Sequence, residues 1–437
     1  MDYGEALNYI EELGKTGICL GLDAVREVLS YLGDPEDTVP AIHIAGTNGK
    51  GSILAYLEAC LMEAGLRVSK YTSPAVFEYR ERFTTNREYI SETEFAELLS
   101  KVKEAMKACK VTLSVFEAET VLFFLYAKRH ADIMLMETGM GGRLDATNVI
   151  KKPLVTVLAS ISMDHMQYLG DTIEEIAREK CGILREGVPC VSSPANRYIE
   201  GTIKECCGDI KAPYICPEAP ADISMQHGIT TFSYEGEAYY LPLLGSYQAE
   251  NAVTAMVALR EAEKELLKRG GHILSISEDI IREGLAKTEW NGRLQRVLDE
   301  PEFYLDGAHN IDACKRLSEF IKSSFTNREI IYIIGVLKDK EYEKMMAELV
   351  PLAREMIIVT PKNARGLKGE ELLKVCDALK NDDNVLMHEE DDIGNAAIRS
   401  IEIAKKYKAP VIISWGSLSY MGEIRKALTI INRNRKS

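Results

Sequence analysis

The feature that most constrains this chain is a strand–loop–helix passage near its start. Val39-Pro-Ala-Ile-His-Ile44 is a short apolar run, and it leads directly into Ala45-Gly-Thr-Asn-Gly-Lys-Gly-Ser52 and an apolar helical stretch over about 51–64. An apolar run of that length ending in glycines reads as a buried strand. With a further strand near 66–72, the order strand–turn–helix–strand is the βαβ unit of a parallel sheet, which places the chain in the α/β class. The loop itself exposes successive backbone N–H groups at a helix N-terminus, where the helix dipole adds positive charge. Lys50 adds a full charge suited to the β- and γ-phosphates of a nucleotide. The match to G-x-x-x-x-G-K-[ST] is imperfect, because Ile44 stands where the first glycine belongs and Gly51 separates Lys50 from Ser52. An ordinary glycine-rich βα turn is the competing reading.

The same alternation continues along the chain. Helical periodicity marks 2–14, 21–32, 117–130 and 247–268, and strands fall at 132–137 and 153–159. Residues 232–243 alternate around a Glu-Gly pair and predict a hairpin. Past Lys287 the register restarts, with strands near 294–299, 302–306, 330–335, 356–360 and 410–415 separated by helical stretches. Thr288–Arg293 is the expected hinge, dividing an N-terminal domain, 1–292, from a smaller one, 293–437. The 437 residues predict two or three domains.

Composition removes whole classes of function. At 46% hydrophobic and 27% charged the chain is not intrinsically disordered. A formal charge of −14 excludes a general nucleic-acid binder. No apolar stretch approaches the ~18–20 residues that span a bilayer, and the acidic N-terminus lacks a signal-peptide core. The ten cysteines are scattered without a C-x-x-C pair, so reduced thiols in a cytoplasm are expected, with neither a disulfide framework nor a zinc site.

Several polar residues fall at the carboxyl ends of the predicted strands, where α/β sheets bind ligands. Glu137 suits Mg²⁺, a hard cation that takes oxygen ligands, or is simply a strand-end acid. Asp164 and His165 follow the strand 153–159; His165 alone reads equally as a hydrogen-bonded structural residue. Thr172 and Glu175 form a capping-box pattern, and Lys180 at the far end of that helix reads as a cation favourable to the helix dipole. In the second domain Asp306-Gly-Ala-His-Asn310 ends a strand and opens a helix. Either it and Arg293 close over a nucleotide held by the first domain, or Asp306 and Asn310 cap the helix.

Taken together these segments resemble one family, the folylpolyglutamate synthase/dihydrofolate synthase family of the Mur ligase superfamily. The resemblance runs from GLDAVREVLSYLGDP through HIAGTNGKGS, YTSP (71–74), ETGMGGRLDATN and MDHMQYLGDTIEEIAREKCGI. It continues with the GR of WNGRLQ, LDGAHN, GVLKDKEYEKMM and GSLSYMGEIR. The fold it implies is a P-loop-type, mostly parallel sheet ATPase domain followed by a smaller Rossmann-like α/β domain. The activity it implies is an ATP-dependent ligase. ATP would phosphorylate the carboxylate of dihydropteroate or a reduced folate, and the amine of L-glutamate would displace phosphate from the acyl phosphate.

By motif, Gly46, Thr47, Asn48, Gly49, Lys50, Gly51 and Ser52 would hold ATP phosphates, with Asn251, Arg293 and Asp306 also contacting ATP. Ser73, Glu137 and His165 would hold Mg²⁺, joined by Lys180, which matches a lysine that this family carbamylates. Lys50, Lys180 and His309 would be catalytic. Arg82, Arg143 and Asp145 would meet the folate-type substrate. A monomer acting on small molecules in the cytoplasm, with neither nucleic acid nor membrane as partner, is the implied setting. Ala75-Val76 replace a common His-Leu, Glu78 a common Arg, Tyr247 a frequent His and Asn291 a frequent Pro. Two alternatives stand beside this reading: a Mur-type amide ligase for another carboxylate, and a non-catalytic P-loop nucleotide-binding module.

Overall fold

The computed structural model describes residues 1–14, 21–226, 228–270, 276–380 and 385–436. Cys19, one of the ten cysteines, lies outside them. Two amphipathic helices open the chain, α1 (Tyr3–Gly14) and α2 (Asp23–Tyr31). They bury Ala6, Ile10 and Leu13, and Val25, Val28 and Leu29, at the three- and four-residue spacing of one helix face.

The first strand, β1 (Ala41–Ala45), is buried at every residue and feeds α3 (Lys50–Glu63). From Gly51 to Leu61 α3 is buried on all sides, as a helix must be when the sheet lies on one side and other helices on the other. β2 (Val68–Tyr71) follows, and then a hairpin of β3 (Phe83–Thr85) and β4 (Glu88–Tyr89). Asn86 and Arg87 between them both take positive φ, the turn that matches strand twist. α4 (Glu92–Cys109) and α5 (Val115–His130) are each started by a serine cap, Ser91 accepting from the Glu94 amide and Ser114 from that of Glu117. β5 (Ile133–Glu137), β6 (Val155–Leu158), α6 (Met166–Leu169), α7 (Ile173–Cys181), β7 (Cys190–Ser192), α8 (Glu200–Ile210) and β8 (Tyr214–Ile215) complete this unit.

Its eight strands run in the order β4-β3-β2-β5-β1-β6-β7-β8. From β2 to β8 all pair in parallel, and only β3 and β4 run antiparallel at one edge. The chain passes from β1 to β2 on one side and later places β6 on the other. β1 is therefore the switch point, and a crevice opens at its carboxyl end. The helices α1, α2, α4 and α5 cover one face and α3 the other, together with α9 (Ser246–Lys268) and α10 (Glu278–Ala286).

The hairpin expected at 232–243 is present with its Glu235-Gly236 turn at positive φ, and it belongs to a three-stranded antiparallel sheet of β9 (Ala221–Gln226), β10 (Ile229–Tyr234) and β11 (Glu237–Leu241). β9 alternates as Ala-Asp-Ile-Ser-Met-Gln, yet its residues are mostly exposed, so it does not read as a buried strand.

The second sheet has the order β12-β13-β17-β14-β15-β16, built from β12 (Gln295–Leu298), β13 (Glu302–Leu305), β14 (Glu329–Ile334), β15 (Glu355–Val359), β16 (Leu386–Glu390) and β17 (Pro410–Trp415). All neighbours except β12 and β13 are parallel. α11 (Ile311–Ser324) leaves the carboxyl end of β13. No helix among the described residues is long and apolar enough to cross a membrane, and the nine described cysteines are free.

Candidate functional site

The phosphate loop is held from outside before any ligand is considered. The Thr47 and Asn48 amides donate to the Ser160 carbonyl at 2.7 and 3.1 Å, and the Thr47 hydroxyl reaches the Ser162 carbonyl at 3.0 Å. Gly49, at φ +86°, is the N-cap of α3, and any Cβ there would overlap the Asn251 side chain. Gly51, the residue that interrupts the usual lysine–serine pair, lies against the Trp290 indole, where a Cβ would overlap the ring. The other neighbour of that indole is Lys70, whose ammonium lies 4.9 Å from the ring and is ion-paired with the buried Glu58.

Two cationic side chains converge behind the loop. Lys50 Nζ donates to the Gly46 carbonyl at 3.0 Å and lies 3.7 Å from Glu137 Oε1. Lys180 Nζ, delivered by the last turn of α7, reaches the same carbonyl. Burial, with Lys50 adding like charge, lowers the Lys180 amine to about 7. Burial raises the Glu137 carboxyl, and Lys50 opposes the shift. The Ser73 amide approaches Glu137 Oε2 at 3.4 Å. His165 stands just beyond, in the left-handed region at φ 51°, with its amide on Asp164 Oδ1 at 2.9 Å. Burial holds its imidazole near 4, with the neighbouring Asp164 working the other way.

The second domain closes over this loop through a polar latch. Asn48 Nδ2 donates to Asn310 Oδ1 at 3.3 Å and to Asp312 Oδ2 at 2.9 Å, and Asn310 Nδ2 returns a bond to Asn48 Oδ1 at 3.0 Å. Arg316 reinforces it, contacting Asp312 at 3.2 Å and Ser160 at 3.4 Å. Buried Asp306 accepts from the Leu294 and Ala308 amides, both at 2.9 Å, so it ties the hinge to the start of α11. Burial raises its carboxyl against the pull of Arg293, whose guanidinium lies over Gly307. His309 Nδ1 donates to the Gly307 carbonyl at 2.7 Å, which leaves Nε2 as the unprotonated nitrogen. Burial first, and Lys340 second, keep this imidazole neutral down to about 4. Between the phosphate loop, Tyr247, Asn251, Arg293 and Asp306 only about 50 Å³ remains, well below the ~300–1,000 Å³ of ordinary ligand sites.

A second cavity, of about 890 Å³, opens beside it. Phe116, Met140, Leu144, Leu337 and Leu418 give it apolar walls, and Ser73, Arg82, Asp145, His165, His309 and Lys340 give it polar ones. Arg82 is bound to the buried Glu119 at 2.6 Å, and Tyr79 and Tyr71 donate to the same carboxylate. Burial raises the Glu119 carboxyl and Arg82 counters it. Lys340 forms a buried ion pair with Asp164 at 2.7 Å. Burial alone would raise the Asp164 carboxyl, but Lys340 and His165 hold it below the usual carboxylate range.

The structure thus gathers the expected nucleotide, metal and catalytic residues at one domain junction, with one exception among the substrate residues. Arg143 does not line the large cavity: its guanidinium pairs with Glu179 at 2.9 Å and borders a separate hollow with Arg26 and Arg185. The reason is local, since Gly142 packs on the Glu179 and Lys180 carbonyls and turns Arg143 outward while Leu144, Asp145 and Ala146 face in. Sequence reasoning missed Lys340, Arg316, Asp312 and Phe116. Lys340 lies inside the GVLKDKEYEKMM segment, which was the available signal.

Residues 44–259 match the Mur ligase middle domain, and residues 292–416 match the Mur ligase glutamate ligase domain. The chain is 34% identical over 440 residues to a dihydrofolate synthase/folylpolyglutamate synthase of Bacillus subtilis, covering 98% of this chain and 99% of that one. Its fold superposes on Escherichia coli FolC in complex with DHPP and ADP with a TM-score of 0.83 and 28% identity, covering 100% and 99% of the two chains. A bifunctional folylpolyglutamate synthase/dihydrofolate synthase from Yersinia pestis, complexed with AMPPNP and Mn ion, gives 0.82 at 27% identity over 99% and 98%.

Proposed function

The chain belongs to the folylpolyglutamate synthase/dihydrofolate synthase family of Mur ligases and is an ATP-dependent ligase that joins glutamate to folates; from that premise we propose how its residues carry the reaction. The observation that carries the assignment is the convergence of Lys50 and Lys180 on the Gly46 carbonyl, beside Glu137, whose other neighbour Ser73 lines the large cavity. The other two readings, a ligase for an unrelated carboxylate and a binding module without chemistry, give way to the family relationship.

The acceptor, dihydropteroate or a reduced folate, lies with its ring system against the apolar walls of the cavity and its carboxylate toward Ser73 and His165. The phosphate-loop amides and Lys50 bind the ATP phosphates and stabilise the charge that develops as the γ-phosphoryl group moves to that carboxylate. Asn251, Arg293 and Asp306 hold the rest of the nucleotide from the hinge side. His309 Nε2, an unprotonated nitrogen bordering both cavities, accepts a proton from the glutamate amine as the amide forms and phosphate leaves. Lys340 supplies positive charge where glutamate enters, shared with Asp164. Closure of the second domain keeps water from the acyl phosphate.

The donor set fits magnesium. Buried Glu137 meets the Ser73 amide at 3.4 Å and Lys50 at 3.7 Å, both long contacts, Ser73 contributes a hydroxyl, His165 a neutral imidazole, and a Lys180 amine lowered to about 7 is the nucleophile that forms a carbamate with CO₂. Bound there, the metal would screen the phosphate charges and orient the terminal phosphates. We also place the domain division at residues 292/293 and read the enzyme as a cytoplasmic monomer, in line with its free cysteines and its span of small-molecule sites.

Purified protein with Mg-ATP and L-glutamate is expected to release phosphate only when dihydropteroate or tetrahydrofolate monoglutamate is supplied. Phosphate release with neither acceptor, measured by a coupled colour assay, would overturn the reading.

A further inference from the structure

Behind the large cavity a hydrogen-bonded ladder joins three residues from two elements, and its far end belongs to none of the groups placed in the reaction. The loop after β5 carries Gly139, Met140, Leu144, Asp145 and Ala146 into the cavity wall. Asp145 organises that loop. Its Oδ2 accepts from the Met140 amide at 2.9 Å, and its Oδ1 accepts from the Thr147 amide at 3.0 Å and the Thr147 hydroxyl at 2.6 Å. Burial raises this carboxyl, and the donors around it oppose the shift; every contact on it comes from a donor, so both oxygens act as acceptors.

That assignment fixes the next rung. The Thr147 hydroxyl has one proton and gives it to Asp145, so it can only accept from His43, whose Nε2 lies 2.8 Å away. His43 is fully buried in β1, and burial keeps its ring neutral. The proton must therefore sit on Nε2, and Nδ1 is a buried lone pair with no hydrogen-bond partner among the described residues. An apolar residue of similar size would fill the same space without an orphaned acceptor. The imidazole is useful here for its single N–H and for where it stands: three residues before Gly46, whose carbonyl receives both Lys50 and Lys180.

We infer that His43 is a positioning residue that, through Thr147 and Asp145, sets the register of the acceptor-cavity wall against the strand bearing the phosphate loop. The inference rests on the large cavity being the acceptor site proposed above. In-line transfer requires the acceptor carboxylate and the γ-phosphate to meet within a few tenths of an ångström of productive geometry. A rigid strut between the two walls supplies that constraint without touching either substrate.

The test uses the full-length enzyme and four variants, His43→Leu, His43→Gln, Thr147→Val and Thr147→Ser, with two readouts. The first is steady-state kinetics against the folate acceptor and against ATP. The second is amide hydrogen exchange over residues 138–149, which reads the ladder whether or not the enzyme turns over. Leu at 43 and Val at 147 are expected to raise acceptor KM by about tenfold with ATP KM within about twofold, and to accelerate exchange at Met140 and Thr147. Gln at 43 and Ser at 147, which restore a donor or a hydroxyl, are expected to return both readouts to near the parent values. If His43→Leu does not fold, the isosteric Thr147→Val decides. Acceptor KM unchanged in Thr147→Val overturns the inference, and so does faster exchange without a kinetic effect, because the ladder would then be structural only. A parent enzyme with no acceptor-dependent turnover, but with exchange that responds to the variants, would instead count against the proposed function.

Discussion

Lys50 and Lys180 donate to the same acceptor, each placing its Nζ 3.0 Å from the Gly46 carbonyl oxygen. Among the described residues no carboxylate forms an ion pair with Lys180, so burial and its like-charged neighbour outweigh the weaker pull of Asp164 and Asp145. With the amine lowered to about 7, its neutral fraction, and hence its capacity to add CO₂, grows as pH rises through 7. Carbon-13 bicarbonate is expected to give a carbamate resonance that strengthens over this range and is missing from Lys180→Ala. That variant should lose about 10²–10³-fold or more in kcat and recover part of it with added short carboxylic acids. Full activity without them would contradict the role.

Asp312 and Asn310 close the latch on Asn48 while only about 50 Å³ stands between the phosphate loop and the hinge. Nucleotide entry must therefore part these groups. Asp312→Ala removes one hydrogen bond of the closed form and leaves the Asn310 cap on α11 in place. At ~0.5–1.5 kcal/mol for such a bond, ATP KM is expected to fall by about two- to tenfold, read by initial rates at saturating acceptor.

Gly51 and Gly208 offer opposite outcomes from the same substitution. A Cβ at 51 overlaps the Trp290 ring, and overpacking of this kind costs ~1–3 kcal/mol, so Gly51→Ala should raise ATP KM and lower kcat/KM by about tenfold. Gly208 sits inside α8 with open space beside it, and Gly208→Ala should stabilise by ~0.5–1 kcal/mol in thermal denaturation with kinetics unchanged.

Three histidines set the acid limit of stability. In the folded protein His43 is held near 3 and His165 and His309 near 4, whereas an unfolded chain protonates them near 6.5. Below 6.5 the unfolded state therefore binds protons that the folded state refuses, and stability falls with pH until the folded values are reached. For the fully buried His43 this is about 1.4 kcal/mol per pH unit once the unfolded form is charged. Urea denaturation from pH 7 to 4.5 should show this slope, and His43→Gln should flatten it.

The fold was legible where local periodicity and punctuation agree. Ile42 and Ile44 alternate with a glycine loop behind them, and the Thr172–Glu175 box starts α7 where its pattern says it should. β9 was not legible: it alternates as Ala-Asp-Ile-Ser-Met-Gln, but the run is short and both its faces are largely exposed. At the site, residues inside a dense motif were readable from either domain, Asp306 and His309 included, and those outside one were not. Arg316 lies in an otherwise ordinary stretch and Lys340 is one of several lysines in GVLKDKEYEKMM, and both matter because they reach Ser160 and Asp164 of the first domain. Lys180 looked like a routine helix-end cation, since nothing in its own helix reveals the buried neighbour Lys50. Arg143 turns away from the large cavity for a smaller reason: the direction of a side chain in a glycine-rich loop is set by what the glycines pack on, here the Glu179 and Lys180 carbonyls.

The chain has only two tryptophans. Trp415 is sealed in the core of the second domain against Tyr332, whereas Trp290 bridges the hinge and the first turn of the phosphate helix, with the Lys70 ammonium over its ring. One indole is thus a constant background and the other a built-in optical gauge of the hinge. A hinge motion that shifts Trp290 against Gly51 and Lys70 would change the polarity and the nearby charge that the indole senses. Opening and closing can then be followed by the protein's own emission, in real time and without a label.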